Sequence, residues 1–159
     1  MNVFSPQIVF QEVPNEVALA FTVCGCPLRC DGCHSQDTWS GSAGTPLTNQ
    51  AFQHQLTKYQ GYISCVLFFG GEWHVKTLCE KLHIAKQAGL KTCLYSGFEK
   101  LPKRITCLLD FVKLGAWQAH RGGLEQPSTN QRFIALPSGE CLNHLFHHDN
   151  NKRALLCNH

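Results

Sequence analysis

Hydrophobic positions along the chain alternate between short unbroken runs and longer periodic stretches. Residues 17–23 (Val-Ala-Leu-Ala-Phe-Thr-Val) form a continuous, partly β-branched run and predict a buried strand. Residues 65–69 (Cys-Val-Leu-Phe-Phe) predict a second strand, 92–95 (Thr-Cys-Leu-Tyr) a third and 108–112 (Leu-Leu-Asp-Phe-Val) a fourth. Between the first two, Thr48 suits the cap of a helix reaching about Tyr59, with Phe52, Leu56 and Tyr59 on one face and Gly61 as its stop. A second helix is expected from about 75 to 88, with Val75, Leu78, Leu82 and Ala85 on one stripe and Gly89 beyond its end. A further helix between 98 and 107 and a last short strand over 133–136 complete the pattern.

Strands alternating with helices predict an α/β fold with a parallel sheet, in which ligands collect beyond the carboxyl ends of the strands. The cysteine-rich segment after 23, Gly70-Gly71-Glu72, Ser96-Gly97 and Lys113 all follow or end predicted strands, so all four are expected on one rim. A single domain over 1–159 is expected, with its core at about 17–136 and an irregular tail over 137–159.

Charge alters this picture little. The formal net charge is +3, without a basic stripe of the kind that tracks phosphates, which argues against nucleic-acid binding. Neither a signal-peptide pattern nor a run of membrane-spanning length is visible, so a soluble cytoplasmic protein with reduced or metal-bound thiols is expected despite ten cysteines. Cys65, Cys79, Cys93 and Cys107 are evenly spaced without a repeat around them, and the first three fall on predicted core faces. Cys141, His144, His147, His148, Cys157 and His159 in the tail match no usual zinc spacing.

The chemistry is densest at Cys24-Gly-Cys26-Pro-Leu-Arg-Cys30-Asp-Gly-Cys33-His34. Its last three cysteines stand as C-x3-C-x2-C, which lets three thiolates converge from one loop and leaves a fourth metal position open. Spacing alone equally allows a closed zinc or iron site in which Cys24 supplies the fourth ligand.

Cys26-Pro-Leu-Arg-Cys30-Asp-Gly-Cys33, with His34 and then Asp37-Thr38-Trp39, resembles the cluster loop of radical S-adenosylmethionine (SAM) enzymes. Within these it is most similar to the small activating proteins of anaerobic ribonucleotide reductases, through Tyr95-Ser96-Gly97 and the stretch from Gly122 to Thr129-Asn-Gln-Arg132. The resemblance implies a small incomplete TIM-type βα barrel with a [4Fe–4S] cluster on Cys26, Cys30 and Cys33. It implies SAM contacts at Gly32, Cys33, His34, Gly70, Gly71, Glu72, Ser96 and Lys113, with no catalytic group beyond the cluster and SAM ligands. Trp73 stands where many relatives carry proline, and Val13-Pro14-Asn15-Glu16 replaces a glycine-rich segment, so contacts made there are not carried over.

The activity implied is reductive cleavage of SAM to a 5′-deoxyadenosyl radical, which takes a hydrogen atom from a glycine of a partner enzyme. That partner would be the large glycyl-radical subunit of anaerobic ribonucleoside-triphosphate reductase, with a flavodoxin-like protein as electron donor. About four βα units would leave one side of the site open to a protein substrate. A formate-lyase-like partner, or a four-cysteine metal module without enzymatic activity, is the alternative.

Overall fold

In the computed structural model, which describes residues 1–147, the apolar runs become neighbouring strands. In chain order the elements are β1 (Asn2–Val3), β2 (Gln7–Val9), β3 (Ala18–Thr22), β4 (Thr45–Pro46), α1 (Asn49–Lys58), β5 (Cys65–Phe69) and α2 (Val75–Gln87). They continue as β6 (Lys91–Tyr95), α3 (Lys103–Thr106), β7 (Phe111–Leu114), β8 (Arg132–Ala135) and β9 (Glu140–Cys141). The main sheet has the order β2-β3-β5-β6-β7-β8-β9, and β1 pairs separately with β4.

The four central strands β3, β5, β6 and β7 are parallel, as their helical crossovers require. The sheet as a whole is mixed, which corrects the expectation of a parallel one: β2, β8 and β9 run antiparallel to their neighbours. The links from β2 to β3 and from β8 to β9 are too short for a crossover, so each pair folds back as a hairpin. β9, followed by a 3-10 turn at Asn143–Phe146, also gives structure to part of the tail expected to be irregular.

Side-chain alternation along the strands sends two sets of residues to opposite faces. Leu19, Phe21, Val66, Phe68, Leu94 and Val112 meet Phe52 and Leu56 of α1, Leu78, Leu82 and Ala85 of α2, and Ile105 of α3. α1 begins where expected: the Thr48 hydroxyl accepts a hydrogen bond from the Ala51 amide at 3.0 Å. The opposite face buries Ala18, Ala20, Cys65, Leu67, Cys93 and Phe133 beneath Val13 and Leu124, supplied by loops.

β7 starts three residues later than the apolar pattern predicts. Asp110 explains the offset, since its carboxylate accepts from the Thr92 amide at 2.8 Å and the Thr92 hydroxyl at 3.1 Å while its own amide donates to the Thr92 carbonyl. These bonds spend Asp110 on a clamp at the start of β6, and the parallel ladder begins beyond it at Phe111. Lys113 consequently lies within the strand rather than just past its end.

Cys65 and Cys93 are fully buried, as expected of core cysteines, whereas Cys79 is only partly covered. Burial pushes the Cys65 thiol up to about 12 and the Cys93 thiol well above its ordinary value. A group whose folded pKa is raised holds its full contribution to stability below the unfolded pKa and loses it as pH rises toward the folded value. Stability is therefore expected to fall above about pH 9, by about 1.4 kcal/mol per pH unit from Cys65 alone, with Cys65→Ala reducing the slope. Urea unfolding at pH 8 and at pH 10.5 measures this; identical slopes for the two proteins would show that Cys65 does not ionise on unfolding.

Candidate functional site

The carboxyl ends of β3, β5, β6 and β7 open onto a cavity of about 340 Å3. Cys26, Cys30 and Cys33 line it from the loop after β3, Gly70 and Glu72 from the loop after β5, Ser96 from the end of β6, and Lys113 from β7. These predicted rim residues are thus brought together.

The cysteine loop is shaped by its backbone. Arg29 and Gly32 take left-handed conformations with φ of 47° and 67°, and the Cys33 amide donates to the Cys30 carbonyl at 3.1 Å. The loop is then clasped at its far side by the 3-10 turn Gln36–Trp39, where the Thr38 carbonyl accepts from the Gly25 amide at 2.7 Å and the Cys26 amide at 3.3 Å. Thr38 itself is buried and donates its hydroxyl to the Ser35 carbonyl at 2.7 Å.

The Cys33 sulfur accepts from the Ser35 amide at 3.4 Å. Burial raises the Cys26 thiol, while main-chain donors at Leu28 and Arg29 pull it back down. Such N–H groups aimed at sulfur stabilise a thiolate, the form that binds metal.

Cys24 does not join the other three. It is buried on another side, where a Cβ placed on Gly44 would stand 3.1 Å from its sulfur, and it does not line the cavity. Its backbone explains this, because the Cys24 amide donates to the Asn2 carbonyl and so extends the pairing of β1 with the chain after β3. The geometry therefore does not support Cys24 as a fourth ligand.

Among the described residues no three His, Cys, Asp or Glu side chains converge as a single metal ion requires. Three thiols lining one cavity are a donor set of the kind that suits an iron–sulfur cluster with one open position. His144 and Cys141 are exposed and form no such group, while His148, Cys157 and His159 lie outside the described residues.

Beside the cysteines lies a polar cluster. Glu72 is 6% exposed, and its Oε1 accepts from the Ser96 hydroxyl at 2.5 Å, while Oε2 is buried without a partner among the described residues. Burial raises the Glu72 carboxyl, opposed by the Ser96 hydrogen bond and the charge of Lys113. Lys113 donates to the Gly115 carbonyl at 3.2 Å and its ammonium lies 5.6 Å from the Tyr95 ring centre. Burial draws the Lys113 ammonium down to about 8, against the pull of Cys30 and Glu72. An orphan carboxylate oxygen near a partly desolvated cation suits a zwitterionic ligand.

Gly32, His34 and Gly71 are not part of the cavity lining. His34 is exposed and its ring lies 4.9 Å from that of Trp117, which also borders Gly32. Gly71 faces Val23 and Met1.

Leu28, Thr38, Phe69 and Trp73 line the cavity without having been singled out for it. Gly70 has φ of 74°, and a Cβ there would stand 2.5 Å from the Trp73 ring, so the glycine makes room for the indole. The Asp37-Thr38-Trp39 triplet was the available signal for the clasp, but a bond made by a main-chain carbonyl leaves no side-chain signature.

The family described as 4Fe-4S single cluster domain matches residues 16–113, which span all the cavity-lining residues. The chain is also 30% identical over 101 residues to a pyruvate formate-lyase-activating enzyme of Clostridium pasteurianum. The match covers 56% of the chain, and the chain spans 42% of that relative's length.

Proposed function

Because the chain belongs to the 4Fe-4S single cluster domain family, we propose that Cys26, Cys30 and Cys33 hold one [4Fe–4S] cluster beside bound SAM, and that the protein is a glycyl-radical activase. Held there and reduced by a flavodoxin-like donor, such a cluster would supply the electron for reductive cleavage of the SAM sulfonium.

The observation that carries the SAM assignment is the buried, unpartnered Oε2 of Glu72. It would accept from the ammonium of the amino-acid end, with Ser96 fixing the Glu72 carboxylate through Oε1. Lys113 pairs with the SAM carboxylate, and Gly70 and Gly71 let the ligand approach the end of β5. Gly32, Cys33 and His34, with Trp117 beside them, form the side assigned to adenine. The four parallel strands support an incomplete βα barrel as the scaffold.

The partner proposed is the large glycyl-radical subunit of anaerobic ribonucleoside-triphosphate reductase, on the likeness of the stretch from Gly122 to Arg132. That stretch is a built loop: Arg121 Nε donates to the Ser128 carbonyl at 2.9 Å, the Thr129 hydroxyl to the Gly122 carbonyl at 3.1 Å, and the Asn130 amide to the Ala116 carbonyl at 2.9 Å. A formate-lyase-type partner is the second reading, favoured by the name of the relative from Clostridium pasteurianum.

Anaerobic reconstitution with iron and sulfide, followed by reduction and electron paramagnetic resonance with and without SAM, tests the reading. A reduced-cluster signal that shifts on adding SAM, with 5′-deoxyadenosine formed, is expected; a signal indifferent to SAM overturns it. Glu72→Gln is expected to weaken SAM binding about 10- to 100-fold at unchanged iron content, as loss of a hydrogen bond to a charged group implies. Incubating the loaded protein with each candidate partner and measuring its glycyl radical then separates the two partner readings.

A further inference from the structure

Two thiols meet over one main-chain oxygen on the helical layer, and neither lines the cavity described above. Cys79 lies in the middle of α2, partly covered, and Cys107 is the exposed residue that ends α3. Each donates its S–H to the Arg104 carbonyl at 3.5 Å, so their sulfurs are separated by no more than twice that distance. A groove of about 500 Å3, lined by Lys76, Cys79, His83 and Arg104 among others, opens the Cys79 side to solvent.

We propose that Cys79 and Cys107 form a redox-active dithiol that a low-molecular-weight disulfide converts to a bridge between α2 and α3. The step is thiol–disulfide exchange. The exposed Cys107, as thiolate, attacks one sulfur of the small disulfide, giving a mixed disulfide and releasing one small thiol that takes up the proton Cys107 lost. Cys79 then loses its proton and attacks the Cys107 sulfur, forming the protein disulfide and releasing the second small thiol. Two protons and two electrons leave the protein, and the small disulfide is reduced by the same amount.

Local groups favour this pair over the other cysteines. Burial raises the Cys79 thiol, the charge of Arg104 opposes that rise, and Cys107 adds to it. Cys107 is exposed at the end of α3, where a small disulfide can reach its sulfur. Cys65 and Cys93 are fully buried, beyond the reach of a small disulfide, and the Cys141 thiol donates to the Asn143 side chain at 3.4 Å with no second thiol among its hydrogen-bond partners in the described residues.

Anaerobic treatment of the reconstituted protein with oxidised glutathione, then alkylation, trypsin digestion and mass spectrometry, tests the proposal. Lysines and arginines between the two positions place them in separate peptides. A linked pair of the Cys79 and Cys107 peptides, with loss of both alkylatable thiols and restoration by a reductant, is expected. In Cys79→Ser, Cys107 is expected to stop at the glutathione adduct. Recovery of both residues as separate alkylated or separately glutathionylated peptides in the unsubstituted protein, or their linkage to other cysteines instead, overturns it. This readout is independent of SAM chemistry, so it fails or succeeds separately from the proposed activity.

Discussion

Cys30→Ser is expected to yield a folded protein whose iron and sulfide content after anaerobic reconstitution falls at least about tenfold, since three thiolates are the only protein ligands of the proposed cluster. Cys30 lines the cavity between Cys26 and Cys33, and no other thiol of the described residues lies on that wall. Cys24→Ser is the informative partner experiment. Cys24 is packed against Gly44 on another side of the loop, so its replacement is expected to leave the iron content unchanged. Equal loss of iron from both variants would mean that four cysteines close the site and would remove the vacant coordination position on which SAM chemistry depends. Circular dichroism of each variant separates loss of cluster from loss of fold.

Phe21→Ala is expected to lower stability by about 3–5 kcal/mol, the range for removing a large aromatic side chain from a packed core. Phe21 is fully buried in β3, opposite Phe68 of β5 in the register of the parallel ladder. Its ring centre lies 5.4 Å from that of Phe68 and 5.2 Å from that of Phe52, so three aromatic rings join the two strands to α1. A loss of this size is a large part of the 5–15 kcal/mol typical of a whole domain. Phe10→Ala, at a residue 68% exposed, is expected to change stability by less than about 0.5 kcal/mol. The shift in urea midpoint at constant slope measures both; similar small losses would show that α1 is not held by the aromatic cluster.

The parts of the fold most legible in the chain are those where burial dictates every residue. β3, β5 and β6 are continuous apolar runs because both their faces are covered, and α1 and α2 show their buried stripes because one face of each meets the sheet. β1, β2, β4 and β9 have two or three residues each and carry no readable period. Their existence depends on pairing with distant chain, as Gln7–Val9 pairs with β3. β7 was displaced because Leu108 and Leu109 are as apolar as a strand, whereas the decisive group is the Asp110 carboxylate bound to Thr92.

At the site, the ends of parallel strands foretold that Cys26, Cys30, Cys33, Gly70, Glu72, Ser96 and Lys113 share one cavity. The side on which Cys24 lies was illegible, since adjacent cysteines in a loop are chemically identical and only the hydrogen bond from its amide to Asn2 turns it away. Cys79 was read as lying on a core face, yet it is only partly covered and shares the Arg104 carbonyl with Cys107.

The bonds from Gly25 and Cys26 to the Thr38 carbonyl make the cysteine-bearing segment a closed ring of chain. Closing a flexible loop of this length costs about 2 kcal/mol in chain entropy, and here that cost is met during folding. Because the closing bonds are made by main-chain atoms, the exposed side chains of the ring take no part in them. Exposed positions such as Asp31, Gln36 and Asp37 are thereby decoupled from the shape of the ring they decorate. The outer surface of the segment can therefore be changed while the ring that carries the three thiols keeps its closure.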